Sequence, residues 1–211
     1  MVARGRIPGG DRERARAEWG VARGEVIIGH LANNSEEKGS VDLLRAVQQV
    51  WQQGRRCHVV LAGPEMPSFE RFWQGFQPLG PVRRLGVLTE HLKRDFFAGV
   101  DMFALPSRSD SFGMVLLEAW ANGMPNVAYR AGGVAEVIRH EQDGLLVRCG
   151  DVDALAAALI RLIDNSDLRR RLGCTGRDRT QRDYRWPDKL SLVRGVYEEV
   201  AQKKRTRRNT N

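Results

Sequence analysis

Residues 106–121, PSRSDSFGMVLLEAWA, decide how this chain folds. The stretch opens as a loop, in which Ser107, Ser109, Asp110 and Ser111 offer short polar side chains. At about Gly113 it turns into a helix, where Val115, Leu116, Leu117, Ala119 and Trp120 are apolar on more than one face. A helix apolar on most sides is buried against a sheet. Immediately upstream, Met102, Phe103, Ala104 and Leu105 form a short apolar run that reads as a buried strand. Strand, polar loop and buried helix make a βα corner, whose helix N-terminus presents unpaired N–H groups to a nearby anion. Gly113 and the small Ser111 let such a ligand approach the backbone closely. Asp110 lies before the helix and Glu118 well inside it, so at about 1.5 Å of rise per residue their carboxylates stand on the order of 10 Å apart. That separation is too wide for two carboxyls to share a proton. It suits two acceptors holding hydroxyls at different points of one long, phosphate-linked ligand.

Working outward, the chain alternates strand and helix. Residues 25–31 (EVIIGHL) form a continuous apolar strand, of the kind buried on both faces. A polar loop over 32–39 follows, and Ser40 is positioned to cap a helix through 53 that ends at Gly54. Val41, Leu44, Val47 and Trp51 give that helix an inward stripe. Strands are expected at 58–62, 82–85, 102–105, 126–129 and 144–147, and helices at 68–77, 89–98 (Leu92 and Phe96 inward), after Gly133, at 152–163, from 167, and amphipathically at 190–201. Repeated β-α units with short loops predict an α/β fold: a doubly wound parallel sheet with helices on both faces. Ligands of such sheets bind beyond the carboxyl ends of the strands, where the strand order reverses. The two most polar loops, 33–39 and 107–113, follow the first and fourth strands and should face that crevice together. One offers Lys38 beside Gly39 and the other a helix N-terminus, a pairing suited to a diphosphate.

These residues also carry a family resemblance. Asp110 and Glu118, seven residues between them, are followed by Asn122-Gly123-Met124-Pro125 and Gly132-Gly133-Val134-Ala135-Glu136. The pattern resembles the C-terminal, donor-binding domain of the retaining family 4 (group 1) glycosyltransferases, extending in order over residues 26–184. The resemblance implies a Rossmann-like half of the two-domain GT-B fold. It implies a nucleotide-diphosphate sugar as donor substrate, with no further cofactor. Lys38, with Gly39, matches the lysine that grips the donor diphosphate. Where that family usually has an arginine after the first strand's glycine, this chain has His30, a weaker diphosphate grip. Asp110 and Glu118 match the catalytic acidic pair: Asp110, where glutamate is usual, for the hydroxyls of the transferred sugar, and Glu118 for the ribose. Ser111, Phe112, Gly113 and Met114 match residues whose backbone N–H groups meet the sugar and phosphates, and Gly86, Val87 and Leu88 match the loop lining the base.

The organisation expected from this reading is a connecting arm over 1–20, the nucleotide-sugar-binding domain over 21–187, and a C-terminal helix with a basic tail over 188–211. The N-terminal acceptor domain of the family is missing from these residues, so a separate or omitted partner is expected, without which the chain should not turn over. Composition agrees with a globular protein: 42% of residues are hydrophobic, and no apolar run reaches membrane-spanning length. The basic N-terminus lacks the apolar core of a secretory signal, and Cys57, Cys149 and Cys174 lack paired spacing, so a cytoplasmic location with reduced thiols is expected. His30, His58, His91 and His140 show no metal-ligand spacing, and no metal is expected.

The net charge of +8 resides at the ends: +3 in residues 1–16 and +5 in residues 203–208, which leaves 17–202 formally neutral. A nucleic-acid-binding fold carries its basic patch on the folded body, so that class is disfavoured. The tail is either solvated or a contact with an anionic membrane surface at the cytoplasmic face. Three functions stay open: the donor-binding half of a glycosyltransferase, a non-catalytic nucleotide-sugar-binding module, and another Rossmann-like protein such as a dehydrogenase. The lack of GxGxxG after the first strand argues against the third.

Overall fold

The computed structural model describes residues 9–208, with the side chains at 186, 189, 201 and 203–208 outside that description. Arg4 and Arg6 of the arm, and the side chains of the basic tail, therefore lie beyond the described residues.

Six strands, β1 (Val26–Leu31), β2 (Cys57–Ala62), β3 (Val82–Arg84), β4 (Met102–Leu105), β5 (Asn126–Arg130) and β6 (Gly144–Arg148), form one sheet. Their order is β3-β2-β1-β4-β5-β6 and every pairing is parallel. The order reverses between β1 and β4, where Ile28 pairs with Met102 and Gly29 with Phe103. This is the doubly wound arrangement that the alternation of elements predicts, with its switch point between the first and fourth strands.

Alternation along each strand divides the core into two layers. Ile28, Val59, Leu61, Met102, Ala104, Val127 and Tyr129 face one side. There they pack against α2 (Ser40–Gln52), α3 (Pro67–Gly75) and α7 (Val152–Asp164). Ile27, Val60, Phe103, Leu105 and Ala128 face the other, covered by α4 (Glu90–Gly99), α5 (Met114–Ala121) and the short α6 (Val134–Val137). Because β1 is buried on both faces, its sequence is continuously apolar instead of alternating. Trp120 of α5 is fully buried and donates its indole N–H to the Asp143 carbonyl at 2.7 Å. It lies so close to α8 (Ser166–Asp183) that a Cβ on Gly176 would come within 2.1 Å of the indole.

Several expectations are corrected in detail. The arm over 1–20 contains a helix, α1 (Arg12–Glu18), capped by the Asp11 carboxylate and packed on α4. Arg12 and Arg16 both reach Asp101, and Arg14 reaches Asp95, so much of the charge in this segment fastens it to the body. Leu92, expected inward, is 45% exposed, because the buried side of α4 is set by Asp95, Phe96, Phe97 and Gly99. The last helix, α9, spans Trp186–Arg208 and leaves Leu190, Val193, Val196, Tyr197 and Val200 exposed along its length. Among the described residues, no helix is long and apolar enough to cross a membrane.

Ser40 was expected to cap α2, but it is the first helical residue, and Gly39 is the cap with φ of 77°. The left-handed backbone alone favours glycine there. Space forbids anything else: a Cβ would stand 1.9 Å from the Pro106 carbonyl oxygen. Gly54 at the other end of α2 has a similar φ of 75° but nothing within 4 Å of its would-be Cβ. Gly54→Ala should therefore cost about 1 kcal/mol of stability, the conformational penalty alone. Gly39→Ala should cost at least about 3 kcal/mol, since the clash adds to that penalty. Urea denaturation of both variants checks this, and equal losses would show that the two loops do not meet as described.

Candidate functional site

At the switch point the loop of residues 32–39 after β1 meets the loop of residues 106–113 after β4. The Arg108 N–H donates to the Glu37 carbonyl at 2.8 Å, and the Ser107 hydroxyl points to the same oxygen at 3.4 Å. Arg108 then reaches back to Asp42 in the first turn of α2 at 2.7 Å, and the Tyr129 hydroxyl donates to the same carboxylate oxygen at 3.2 Å. Asp42 is completely buried, so these partners offset its desolvation. Gly132 and Gly133 bring a third loop against the second: the Gly133 N–H donates to the Asp110 carbonyl at 3.0 Å. A Cβ on Gly133 would lie 1.9 Å from the Ser111 carbonyl oxygen.

Within this frame Lys38 and Asp110 are partners. Lys38 Nζ lies 3.1 Å from Asp110 Oδ2 and donates to the Ser109 carbonyl at 3.3 Å. The other oxygen, Asp110 Oδ1, accepts from the N–H groups of Phe112 (3.2 Å) and Gly113 (2.8 Å). Burial alone would raise the Asp110 carboxyl, but Lys38 and the two N–H groups outweigh it, so it titrates below its ordinary value. Asp110 thus occupies the donors at the start of α5 that the sequence reserves for a bound anion. Met114 opens α5, and its N–H and that of Val115 have no partner within the helix.

His30 does not lie in the crevice. Its ring is fully buried: Nδ1–H donates to the Ala104 carbonyl at 2.8 Å and Nε2 accepts from the Ser40 hydroxyl at 2.9 Å. Both nitrogens are committed, which excludes the expected diphosphate grip and makes His30 a strut joining β1, β4 and α2. Burial pushes its pKa down to about 4, so near neutrality it is an uncharged imidazole. The tautomer follows from the carbonyl, which only accepts.

Glu118 projects from α5, and its Oε1 accepts from Lys93 Nζ of α4 at 2.7 Å. Val87, in the loop between β3 and α4, is 73% exposed, and Leu88 is half-buried against the α4–α5 layer. The Gly86 carbonyl accepts from the Gly63 N–H at 2.7 Å, tying this loop to the end of β2. Ser111 is exposed, and Met114 is 45% exposed at the mouth. Phe112 packs edge-on to Tyr184, 6.0 Å between ring centres. Two depressions of about 420 and 590 Å³ lie at the opposite, amino-terminal ends of the strands, lined by residues such as Glu25, Cys57 and His58 or Arg16, Val26 and Asp101. None of the expected site residues lines either of them, and the switch-point chemistry outweighs their size. Among the described residues no group of three or more His, Cys, Asp or Glu side chains could hold a metal ion.

Together the fold and the switch point define a Rossmann-like domain in which Lys38, Asp110 and the start of α5 converge between β1 and β4. Residues 11–179 match the family described as glycosyl transferases group 1, and the chain belongs to that family. It is 29% identical over 191 residues to N-acetyl-alpha-D-glucosaminyl L-malate synthase of Bacillus anthracis, covering 90% of this chain and 50% of that protein. It is 31% identical over 209 residues to D-inositol 3-phosphate glycosyltransferase of Corynebacterium kroppenstedtii, covering 93% of this chain and 46% of that protein. The chain therefore spans about half the length of these relatives. In three dimensions it resembles the C-terminal domain of a group 1 glycosyl transferase, LpcC of Francisella tularensis, with a TM-score of 0.73 at 21% identity, covering 85% of this chain and 95% of that one. Anabaena HepE, solved with UDP-glucose, gives 0.75 at 22% identity, covering 90% of this chain and 52% of that one. The GT-B assignment of the fold stands.

The buried imidazole makes a pH test. Unfolded, His30 takes a proton near 6.5; folded, it does so only near 4. Between those values the unfolded chain binds more protons, so acid favours unfolding and stability falls as pH drops from 6.5 towards 4. Wild type should lose about 2 kcal/mol more between pH 7 and pH 5 than His30→Gln does. Denaturant titrations at the two pH values decide it; parallel losses would mean that His30 is not held neutral.

Proposed function

We propose that this chain binds the nucleotide-diphosphate sugar of a retaining glycosyl transfer, and that transfer requires an acceptor-binding partner domain. The observation that carries the reading is the convergence at the β1/β4 switch point, where Lys38 and the N–H at the start of α5 both bind the Asp110 carboxylate. In this reading the diphosphate takes Lys38 and the N–H groups of Gly113 and Met114. Glu118 accepts from the ribose, and the loop of Gly86, Val87 and Leu88 lies along the base. Asp110 is released from α5 as the phosphates arrive and accepts from hydroxyls of the sugar, beside Ser111 and Phe112. His30 contributes by setting the loop of Lys38 against β4, not by charge.

The residues of this chain build one wall of a cleft. Transfer needs an acceptor held at the anomeric carbon and water kept from it, and both tasks fall to a second wall. Donor binding without turnover is the behaviour expected of the chain alone. The basic tail would favour an anionic membrane surface at the cytoplasmic face.

UDP and UDP-glucose are the first probes, since HepE was solved with both. Lys38→Ala should weaken UDP by about 1.5–3 kcal/mol, towards the upper end because Asp110 is left as an unneutralised anion in the site. Asp110→Ala should weaken UDP-glucose relative to UDP. Calorimetry reads both. Undiminished UDP affinity in Lys38→Ala removes the lysine from the site, and Lys38-dependent release of UDP by the chain alone would show that one wall suffices. A chain that binds but stays silent when supplied with the amino-terminal half of a relative would be a non-catalytic nucleotide-sugar module.

A further inference from the structure

The ion pair between Lys93 and Glu118 joins α4 to α5 at the edge of the crevice. Its geometry is one-sided: Lys93 Nζ is 2.7 Å from Oε1, whereas Oε2 takes no hydrogen bond among the described residues. Neither side chain is a freely solvated charge, since Lys93 is 25% and Glu118 14% exposed. Lys93 also sits one turn past Thr89, whose hydroxyl caps α4 by accepting from the Leu92 N–H. The loop of Gly86, Val87 and Leu88 leads directly into that cap. The lysine is thus anchored to the element that carries the proposed base-lining loop, and its ammonium ends on the proposed ribose acceptor.

We infer that Lys93 is a positioning residue for nucleotide recognition: it fixes Glu118 by Oε1 and so presents Oε2 to a ribose hydroxyl. This rests on the donor-binding reading and extends it to a residue that makes its contribution through another. An ammonium on one oxygen limits the carboxylate's rotation, so the free oxygen meets the hydroxyl without first being ordered. The pair is mostly covered, so removing the lysine also carries a stability cost; what separates positioning from a structural role is that the loss of binding depends on the ribose hydroxyls. Without the lysine, Glu118 turns towards solvent and the ribose loses its acceptor, while the phosphates keep theirs at Lys38 and α5.

The test uses the whole chain and two probes, UDP and 2′,3′-dideoxy-UDP, which lacks both ribose hydroxyls. Lys93→Met should weaken UDP about tenfold, the low end for a hydrogen bond to a charged group, and leave the dideoxy compound within about twofold. Lys93→Arg should keep most of the UDP affinity, and Glu118→Gln combined with Lys93→Met should lose no more than about twofold beyond Glu118→Gln alone. Thermal melting reads the stability cost of each variant separately, and that cost alone would weaken both probes alike. Equal weakening of both probes in Lys93→Met, or none, overturns the inference while leaving the donor site intact. Failure of wild type to bind UDP, ADP or GDP at all overturns the donor-binding reading, and this inference falls with it.

Discussion

Gly39 and the carbonyl of Pro106 meet at a distance no side chain would allow, and the site is built on that contact. It lets the loop after β1 lie flat on the loop after β4, so that the N–H of Arg108 reaches Glu37 and the ammonium of Lys38 reaches Asp110. From below, the buried His30 ring ties β1 to β4 and to the first residue of α2. Buried Asp42, with Arg108 and Tyr129, fastens them from the α2 side. Sheet order puts β1 and β4 side by side; these contacts turn an adjacency of strands into a fixed arrangement of a lysine, a carboxylate and a helix N-terminus.

That arrangement is filled by its own residues. Asp110 accepts from a lysine and two backbone N–H groups, the inventory a phosphate oxygen would ask for. An empty helix N-terminus beside a lysine would leave oriented donors unpaired. The aspartate satisfies them locally, and the same contacts hold it ionised. Its shorter reach relative to glutamate has a consequence: with one methylene fewer, the carboxylate stays over its own loop and can close onto Gly113, as Asx turns do. In the proposed reading a ligand phosphate then arrives by exchange of one anion for another.

Much of this was legible in the sequence because the signals were local. The apolar run of β1, the switch from polar loop to buried helix after Gly113, and the spacing of strands and helices led to the observed sheet within a residue or two at most boundaries. What was not legible depends on direction and on distant partners. Whether His30 points into the crevice or into the α2 layer is set by strand alternation: Ile28 faces α2, and so does the residue two further on. Ser40 looks like a cap because serine usually is one, but its hydroxyl is claimed by His30, and a glycine does the capping. Leu92 fits a helical stripe, yet α4 rotates to bury Phe96 and Phe97. Lys93 is one of only five lysines, but nothing in the sequence pairs it with Glu118 until α4 and α5 are packed.

Charge arithmetic at the crevice ties these points together. Lys38 faces Asp110 and Lys93 faces Glu118, so each cation is matched by a carboxylate and these four groups are locally neutral. The folded body between the basic ends is formally neutral as well. The nucleoside diphosphate we propose as ligand would therefore not be drawn in by a long-range field, as it would be to a basic cleft. In the proposed reading affinity comes from short-range replacement: phosphate oxygens for Asp110 at Lys38 and α5, with a ribose hydroxyl added at Glu118. Such a site responds weakly to anions that match only part of the pattern, because a lone phosphate can displace Asp110 but gives it no hydroxyl to accept from in return. A nucleotide sugar would supply both, the phosphates that displace the aspartate and the hydroxyls that receive it, so the exchange we propose favours the complete donor over its fragments.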